Sequence, residues 1–255
     1  MQIELIAHTT GLTDTVERAA AVCYDSKPTT EHRIAMACAR SGHMSVWEHI
    51  SFTFHVSGVS RALLAQLSRH RHISLSVRSQ RYCDEDGFRY IKPDSVRSDS
   101  VVEWRYDDAM DDAQRAYHHL RAMRINPEDA RMVLPNSCMT ELFLTANARA
   151  LIEISHLRLC SRAQAEIRTM VTEIREAVRA VAPEVADLMV PKCEQYEIPF
   201  CTEHYSCGKH PKLRRLCMID LIIAGAVGFI CGSFLTVAIM ALCMIAKGEH
   251  DGKEG

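Results

Sequence analysis

The chain has 255 residues, of which 47% are hydrophobic and 24% are charged, so it is long enough for one large domain or two small ones. This ordinary globular composition excludes a chain that is disordered throughout. With 30 lysines and arginines against 32 acidic residues, the formal net charge of -2 excludes a general electrostatic attraction to nucleic acid.

Strands and helices alternate in the first half of the chain. Alternating polar and apolar residues predict a strand over residues 2–7, and Asp14 with Glu17 predicts a capped helix that runs toward Cys23. The remaining patterns predict a helix over residues 31–40, a strand over residues 51–56, a helix over residues 59–68 and a strand over residues 88–91.

The second half begins with helical patterns. A long helix is predicted over residues 101–123, and Asn126 with Pro127 predicts the start of a helix that Pro135 ends. The patterns then predict a strand over residues 142–145, a helix from Ala148 and a further helix that ends before Pro183. This order of elements predicts an α+β, or mixed α/β, catalytic domain over residues 1–190.

The composition changes after that domain. We predict a polar linker containing cysteine over residues 191–215, a transmembrane helix over residues 216–246 and a polar tail over residues 247–255. Residues 221–246 carry no charged side chain, and about 20 apolar residues suffice to cross a bilayer. Basic residues before this run predict that the catalytic domain lies in the cytoplasm, anchored by its C-terminal helix. A buried core helix is the alternative interpretation.

The cysteines favour a reducing compartment. The chain has 11 of them, an odd number, and most are scattered without motif spacing, which is typical of reduced thiols in the cytoplasm. The polar linker holds a possible set of zinc ligands, namely Cys193, Cys201 and Cys207 with His204 and His210. Their spacing contains no C-x-x-C pair, so the sequence favours no metal site, with zinc binding as the alternative.

A basic segment is the most unusual part of the sequence. Four arginines, two histidines and three serines lie between Arg69 and Arg81. Arginine presents a planar fork of donors that matches phosphate oxygens, so this segment predicts a site for an anionic ligand. A second polar cluster, residues 42–49, lies upstream of it. A solvated basic loop or an RNA-binding patch remains an alternative.

The basic segment also resembles the signature of flavin-dependent thymidylate synthases, in which Arg69-His70-Arg71 is followed by seven residues and Ser79. Other family motifs occur in the expected order over about residues 1–190, namely Gly42-His43, Ser45, Glu48-His49, Gln66, Arg81-Tyr82, residues 131–135, Asn147-Ala148-Arg149 and Leu157-Arg158. The resemblance implies a mixed α/β fold and methylation of dUMP to dTMP without a cysteine nucleophile. It implies methylenetetrahydrofolate as the carbon donor and NADPH as the reductant through bound FAD, in a homotetramer whose sites combine several subunits.

The resemblance also implies a role for individual residues. Arg158 would be catalytic, because the family has an arginine there that stabilises negative charge on the uracil ring. The residues implied for dUMP are Gln66, Arg69, Ser79, Gln80, Arg81 and Arg131. Those implied for FAD are Ser45, Arg69, His70, Arg71, Val77, Asn147, Arg149 and Glu153, and His43 would lie in the region of flavin and folate.

Three residues depart from the family pattern. Val77 stands where many relatives have Glu or Gln, Glu153 where they often have Asn or His, and Arg78 where they usually have an apolar residue. Two alternative functions therefore stay open at this point. One is an RNA-binding module tethered to a membrane, and the other is an inactive homologue that binds flavin or nucleotide.

Overall fold

The computed structural model describes residues 1–212. The strands are β1 (Gln2–His8), β2 (Ser51–Ser60), β3 (Ile73–Val77) and β4 (Met139–Asn147). The helices are α1 (Leu12–Cys23), α2 (Arg33–Arg40), α3 (Arg61–Leu67), α4 (Asp94–Arg97), α5 (Ser100–Ala122), α6 (Pro127–Ala130), α7 (Ala148–Arg158), α8 (Ala165–Arg179) and α9 (Pro183–Leu188). Short 3-10 helices cover Met44–His49, Arg131–Val133 and Lys192–Glu194. The predicted mixture of helices and strands is confirmed.

The four strands form one antiparallel sheet in the order β1-β2-β4-β3. Phe54 of β2 lies between Leu5 of β1 and Leu144 of β4, and Leu75 of β3 pairs with the other side of Leu144. The two longest strands, β2 and β4, lie in the centre of the sheet. Since β4 pairs with both β2 and β3, it connects the edge strand β3 to the rest of the sheet.

One face of the sheet forms the core. Alternate residues of the two central strands are buried, namely Phe52, Phe54 and Val56 on β2 and Leu142, Leu144 and Ala146 on β4. Helix α8 buries the apolar stripe that its sequence predicts, with Ile167, Met170, Val171, Ile174 and Val178 inside. The opposite face of the sheet carries polar pairs, such as the hydrogen-bonded hydroxyls of Thr53 and Thr145.

Helix α1 runs to Cys23 as predicted, but Asp14 and Glu17 do not cap its start. Gly11, in the left-handed region with φ 59°, precedes α1, and Asp14 instead pairs with the His32 ring. Glu17 is buried and accepts hydrogen bonds from backbone amides of Thr29 and Ala35, so it joins α1 to α2.

The strand pattern also differs from the prediction. Residues 88–91 make only an isolated bridge between Tyr90 and Cys138 instead of a strand. The basic segment, in contrast, contains strand β3, which the sequence analysis did not identify. Strands β2 and β4 extend beyond their predicted bounds, because pairing with each other continues to Ser60 and Met139.

The described residues form two compact units. The first comprises Met1–Phe200 with Cys207–His210 and contains every named helix and strand. The described part of the second comprises Cys201–Ser206 with residues 211 and 212, where the Cys201 amide donates to the Pro211 carbonyl at 2.8 Å. Within residues 1–212, no helix has both the length and the apolar character needed to cross a bilayer. The predicted transmembrane helix over 216–246 and the tail over 247–255 lie outside the described residues.

Candidate active site

The predicted site residues gather first where β4 passes into α7. Ile73, the first residue of β3, pairs with Ala146, so the Arg69-His70-Arg71 turn lies beside the start of α7. Asn147 caps that helix, since its Oδ1 accepts from the Ala150 amide at 2.8 Å. His72 completes the turn in the left-handed region, with φ 59°.

The guanidinium of Arg158, at the last residue of α7, lies between two predicted neighbours. Its Nε donates to Nε2 of His70 at 2.9 Å, and one terminal nitrogen donates to the Gln66 carbonyl oxygen at 3.1 Å. Within residues 1–212, Arg158 forms no ion pair with a carboxylate, so its charge is held in place by neutral groups alone. We call Arg158, His70 and Gln66 the Arg158 cluster.

Burial and neighbouring arginines lower the pKa values of both His70 and Arg158. Burial and the nearby Arg158 guanidinium lower the pKa of His70, which keeps its ring neutral and able to accept from Arg158. Burial and the proximity of Arg69 lower the pKa of Arg158 as well. A guanidinium remains protonated near neutral pH despite such a shift, so the cluster concentrates positive charge.

A small cleft of about 120 Å³ lies along the first turns of α7. It is lined by Glu48, His72, Asn147, Arg149, Ala150 and Glu153. Arg149 donates to Glu48 at 2.7 Å and to Glu153 at 2.9 Å, so it is shared between two carboxylates. Its hydrogen bonds to these carboxylates raise the pKa of Arg149. Ser45 and His43 are exposed at the start of the 3-10 segment that carries Glu48.

The remaining predicted residues lie at the other end of β3. Arg81 Nε donates to Glu128 at 2.6 Å, and Arg131 Nε donates to the Glu128 carbonyl oxygen at 3.1 Å. Ser79 Oγ accepts from the Arg81 amide at 3.2 Å. We call Ser79, Gln80, Arg81 and Arg131 the Arg81 cluster.

Comparisons with known proteins identify the family that carries these motifs. The profile of the thymidylate synthase complementing protein family matches residues 4–184. The chain belongs to this family. The flavin-dependent thymidylate synthase of Geobacter sulfurreducens is 38% identical over 228 residues, which cover 85% of this chain and 97% of that protein. That of Clostridium tetani is 33% identical over 242 residues, covering 85% and 96% respectively.

A solved structure supports the fold of this family member. Thymidylate synthase X from Helicobacter pylori, crystallised with FAD and dUMP, aligns with a TM-score of 0.60 and covers 74% of this chain and 99% of that one. Its sequence identity is 23%, so the likeness concerns the fold. Family membership does not favour the alternative of an RNA-binding module.

Each departure from the family pattern has a local partner in this family member. Val77 is half-buried in β3, paired with Leu142, and contributes no polar side chain. Arg78 donates to the buried Glu85 at 3.4 Å. Glu153 pairs with Arg149, so its negative charge is compensated.

Several contacts of the predicted site residues carry no signal in the sequence. The Gln66 amide hydrogen-bonds to Gln164, Arg81 pairs with Glu128, and Arg149 pairs with Glu48. A terminal nitrogen of Arg61 donates to the Arg78 carbonyl oxygen at 2.6 Å, although its buried Nε has no hydrogen-bond partner among the described residues. These contacts join residues far apart in the chain, and no local pattern identifies them.

The Arg158 and Arg81 clusters are separated by the length of β3. Ile73 pairs with Ala146 at one end, and Val77 pairs with Leu142 at the other. Beyond that end, the Arg78 amide donates to Glu141, and Gln80 contacts Cys138. Four residue steps along a strand span roughly 13 Å. A single copy of the chain therefore holds the predicted dUMP residues in two groups at opposite ends of one strand.

Proposed function

We propose that this protein is a flavin-dependent thymidylate synthase that methylates dUMP to dTMP. Methylenetetrahydrofolate would donate the carbon, and NADPH would reduce bound FAD. The observation that carries the proposal is the Arg158 guanidinium, held by His70 at 2.9 Å and by the Gln66 carbonyl at 3.1 Å with no carboxylate pair among residues 1–212. A fixed and uncompensated cation of this kind suits a substrate that becomes more negative as it reacts.

The residues at the start of α7 fit the binding of FAD. The cofactor has an anionic pyrophosphate and a flat ring system, and Arg69, His70 and Arg71 supply cations and a planar ring beside the cleft of α7. Within the described residues, Arg69 and Arg71 form no ion pair, which leaves their donors for an anion. When bound, FAD would supply the reducing equivalents of the reaction.

Arg158 would act on the uracil ring of dUMP. Negative charge at N3 makes the ring richer in electrons, and a guanidinium fixed by Gln66 and His70 stabilises that charge without reorganising. His70 is neutral because its pKa is lowered, so it orients Arg158 without adding a like charge.

The Arg81 cluster would hold the phosphate of dUMP. Arg81 and Arg131 are cations that flank Glu128, and Ser79 adds a hydroxyl donor. Arg81 must leave the Glu128 carboxylate to reach a phosphate, and an exposed ion pair of this kind opens at small cost.

A buried thiol that contacts this cluster is unsuited to nucleophilic attack. Cys138, which Gln80 contacts, is fully buried, and burial raises the pKa of its thiol to about 11. A thiol with that pKa is protonated at neutral pH, whereas the thiolate is the nucleophile. Cys138 is therefore not expected to attack the uracil ring, in line with a reaction that uses no enzyme thiol.

We further propose that two copies of the chain complete each site within a homotetramer. The Arg158 cluster of one copy would face the Arg81 cluster of another, because β3, which spans roughly 13 Å, separates the two clusters within one copy. A two-fold axis would then create two equivalent sites.

A membrane anchor is proposed from the sequence alone. The uncharged run over residues 221–246 would fix a cytoplasmic catalytic domain to a bilayer, with residues 191–215 as the linker. Deleting residues 216–255 should release the protein from membranes, and the truncated protein should still bind flavin. Loss of flavin on truncation would contradict a purely anchoring role.

The visible spectrum of the purified protein, with and without dUMP, tests the proposed function. We expect flavin absorption bands that shift when dUMP is added, and dTMP formation when the folate donor and NADPH are also present. A colourless protein would contradict the proposal. Flavin bands without turnover would identify the inactive homologue instead.

A further inference from the structure

A cluster outside the candidate active site combines three ligand types that transition metals prefer. Within residues 1–212, the Sγ of Cys193, a carboxylate oxygen of Glu194 and a ring nitrogen of His210 all lie within 4.8 Å of one another. Each of the three residues is half-buried. The cluster joins the 3-10 turn Lys192–Glu194 to the end of the following loop.

The composition of this cluster selects the class of metal. Thiolate and imidazole are ligands for zinc and similar transition metals, while calcium and magnesium require oxygen ligands. In a tetrahedral zinc site with bonds of about 2.0–2.3 Å, ligand atoms lie roughly 3.3–3.8 Å apart. The observed separations therefore need only a small contraction to surround an ion.

Lys209 currently neutralises the carboxylate of this cluster. Its Nζ lies 2.5 Å from Glu194 Oε1, and the same oxygen lies 2.9 Å from Nε2 of His210. The Lys209 side chain is 63% exposed, so it can swing into solvent when another cation arrives. A positive charge thus already stands where a metal ion would bind.

An ion also has a route to the cluster. Glu194 and Lys209 line an open groove of about 460 Å³ between α8 and the chain that follows α9. Inside the loop that the cluster closes, the Phe200 amide donates to the Cys193 carbonyl at 3.0 Å, and the rings of Tyr196 and Phe200 stack at 4.5 Å. Residues 196–200 are therefore already folded back on the turn that carries two of the ligands.

We propose that Cys193, Glu194 and His210 bind one zinc ion, with water at the fourth position of a tetrahedron. Zinc would replace the Lys209 ammonium on Glu194 and the protons on the thiol and the imidazole. The ion would join His210 to the turn Lys192–Glu194. This set contains Cys193 and His210, two of the five ligands that the sequence suggested. It adds Glu194, which the spacing of the cysteines and histidines did not indicate.

Metal analysis of the full-length chain, purified without a histidine tag, tests this site. We expect about one zinc per chain, and Cys193→Ser and His210→Ala should each weaken zinc binding by on the order of 100-fold, since even outer partners of a metal contribute 10–100-fold. Cys23→Ser, which changes an exposed cysteine in α1, serves as the control and should bind zinc like the parent. Cobalt added to the parent should give thiolate-to-cobalt charge-transfer absorption that Cys193→Ser lacks.

Lys209→Gln separates metal binding from a merely structural network of ion pairs. Removing the competing ammonium should strengthen zinc binding several-fold, an increase that misfolding cannot produce. The proposal is overturned if the parent shows no cobalt–thiolate absorption. It is also overturned if the parent, Cys193→Ser and His210→Ala bind zinc equally, or if Lys209→Gln fails to strengthen binding. None of these results depends on the flavin or on thymidylate synthesis.

Discussion

The two ends of β3 hold their arginines in opposite ways. Arg158 is half-buried and, among residues 1–212, donates hydrogen bonds to the neutral groups of His70 and Gln66 without a carboxylate partner, whereas Arg81 is exposed and paired with Glu128. Burial lowers the pKa of Arg158, and the Glu128 hydrogen bond raises the pKa of Arg81. The first arrangement provides a fixed positive charge for a reacting ring, and the second keeps a mobile cation whose carboxylate partner can be replaced by a phosphate.

The largest effect is expected at the fixed end. Arg158→Ala should lower kcat for dTMP formation by roughly 10²- to 10³-fold, because the preorganised charge is lost, while bound FAD remains. Flavin absorbance and single-turnover kinetics check both statements. Arg179→Ala, which removes an arginine paired with Asp187 on the surface, is the matched control and should keep the parental rate. Equal rates for both variants would remove Arg158 from the mechanism.

A smaller effect, on binding rather than on rate, is expected at the mobile end. Arg81→Ala should raise KM for dUMP by about 10- to 100-fold with little change in kcat, since a charge-assisted contact to the phosphate is lost. Steady-state kinetics with varied dUMP measures this split. A large fall in kcat with unchanged KM would mean that the two ends do not differ as described.

Glu128→Gln should act in the opposite direction. The neutral amide competes less for Arg81, so KM for dUMP should fall by roughly two- to fivefold, in line with the weakness of exposed ion pairs. Kinetics at low ionic strength gives the clearest comparison, because salt screens exposed charges. If dUMP binds more weakly in this variant, Glu128 orients Arg81 rather than masking it.

The smallest effect concerns the stability of the fixed end. The folded pKa of His70 is lowered below its unfolded value of about 6.5, so the unfolded state binds more protons, and the folded state is destabilised as the pH falls below that value. His70→Asn should therefore lose less thermal stability than the parent between pH 7 and pH 5. Thermal unfolding at several pH values measures this difference. The half-buried His156 has a lowered pKa too, and His156→Asn shows how much of the parental loss it contributes.

The sequence predicts elements well where the core imposes a period. Helix α8 and strand β2 were predicted because their buried residues repeat with the helical and strand periods. Strand β3 was missed although Ile73, Leu75 and Val77 alternate with serines, because it is short and basic residues flank it on both sides. Residues 88–91 have strand-like composition, yet only Tyr90 finds a partner.

The candidate site, too, could be predicted from the sequence only in part. The arginines and histidines of the site could be identified from the ordered motifs, because the motifs occur along the chain in the order and spacing of the family. Their partners could not, because Arg158 and His70 are 88 positions apart and Arg81 and Glu128 are 47 apart. Whether an arginine is fixed or masked depends on such distant contacts, which no local pattern contains.

The most direct test of the proposal that two copies complete each site combines a variant with a low kcat and a variant that binds dUMP weakly, assayed at a dUMP concentration near the parental KM. Arg158→Ala and Arg81→Ala, co-expressed with different tags and purified as mixed oligomers, should recover dTMP formation, because one of the two sites at a mixed two-fold interface contains neither substitution. With random assembly, about a quarter of the sites should be intact. Mixed oligomers with no more activity than the separate variants would contradict the account and place both arginines of each site in one copy.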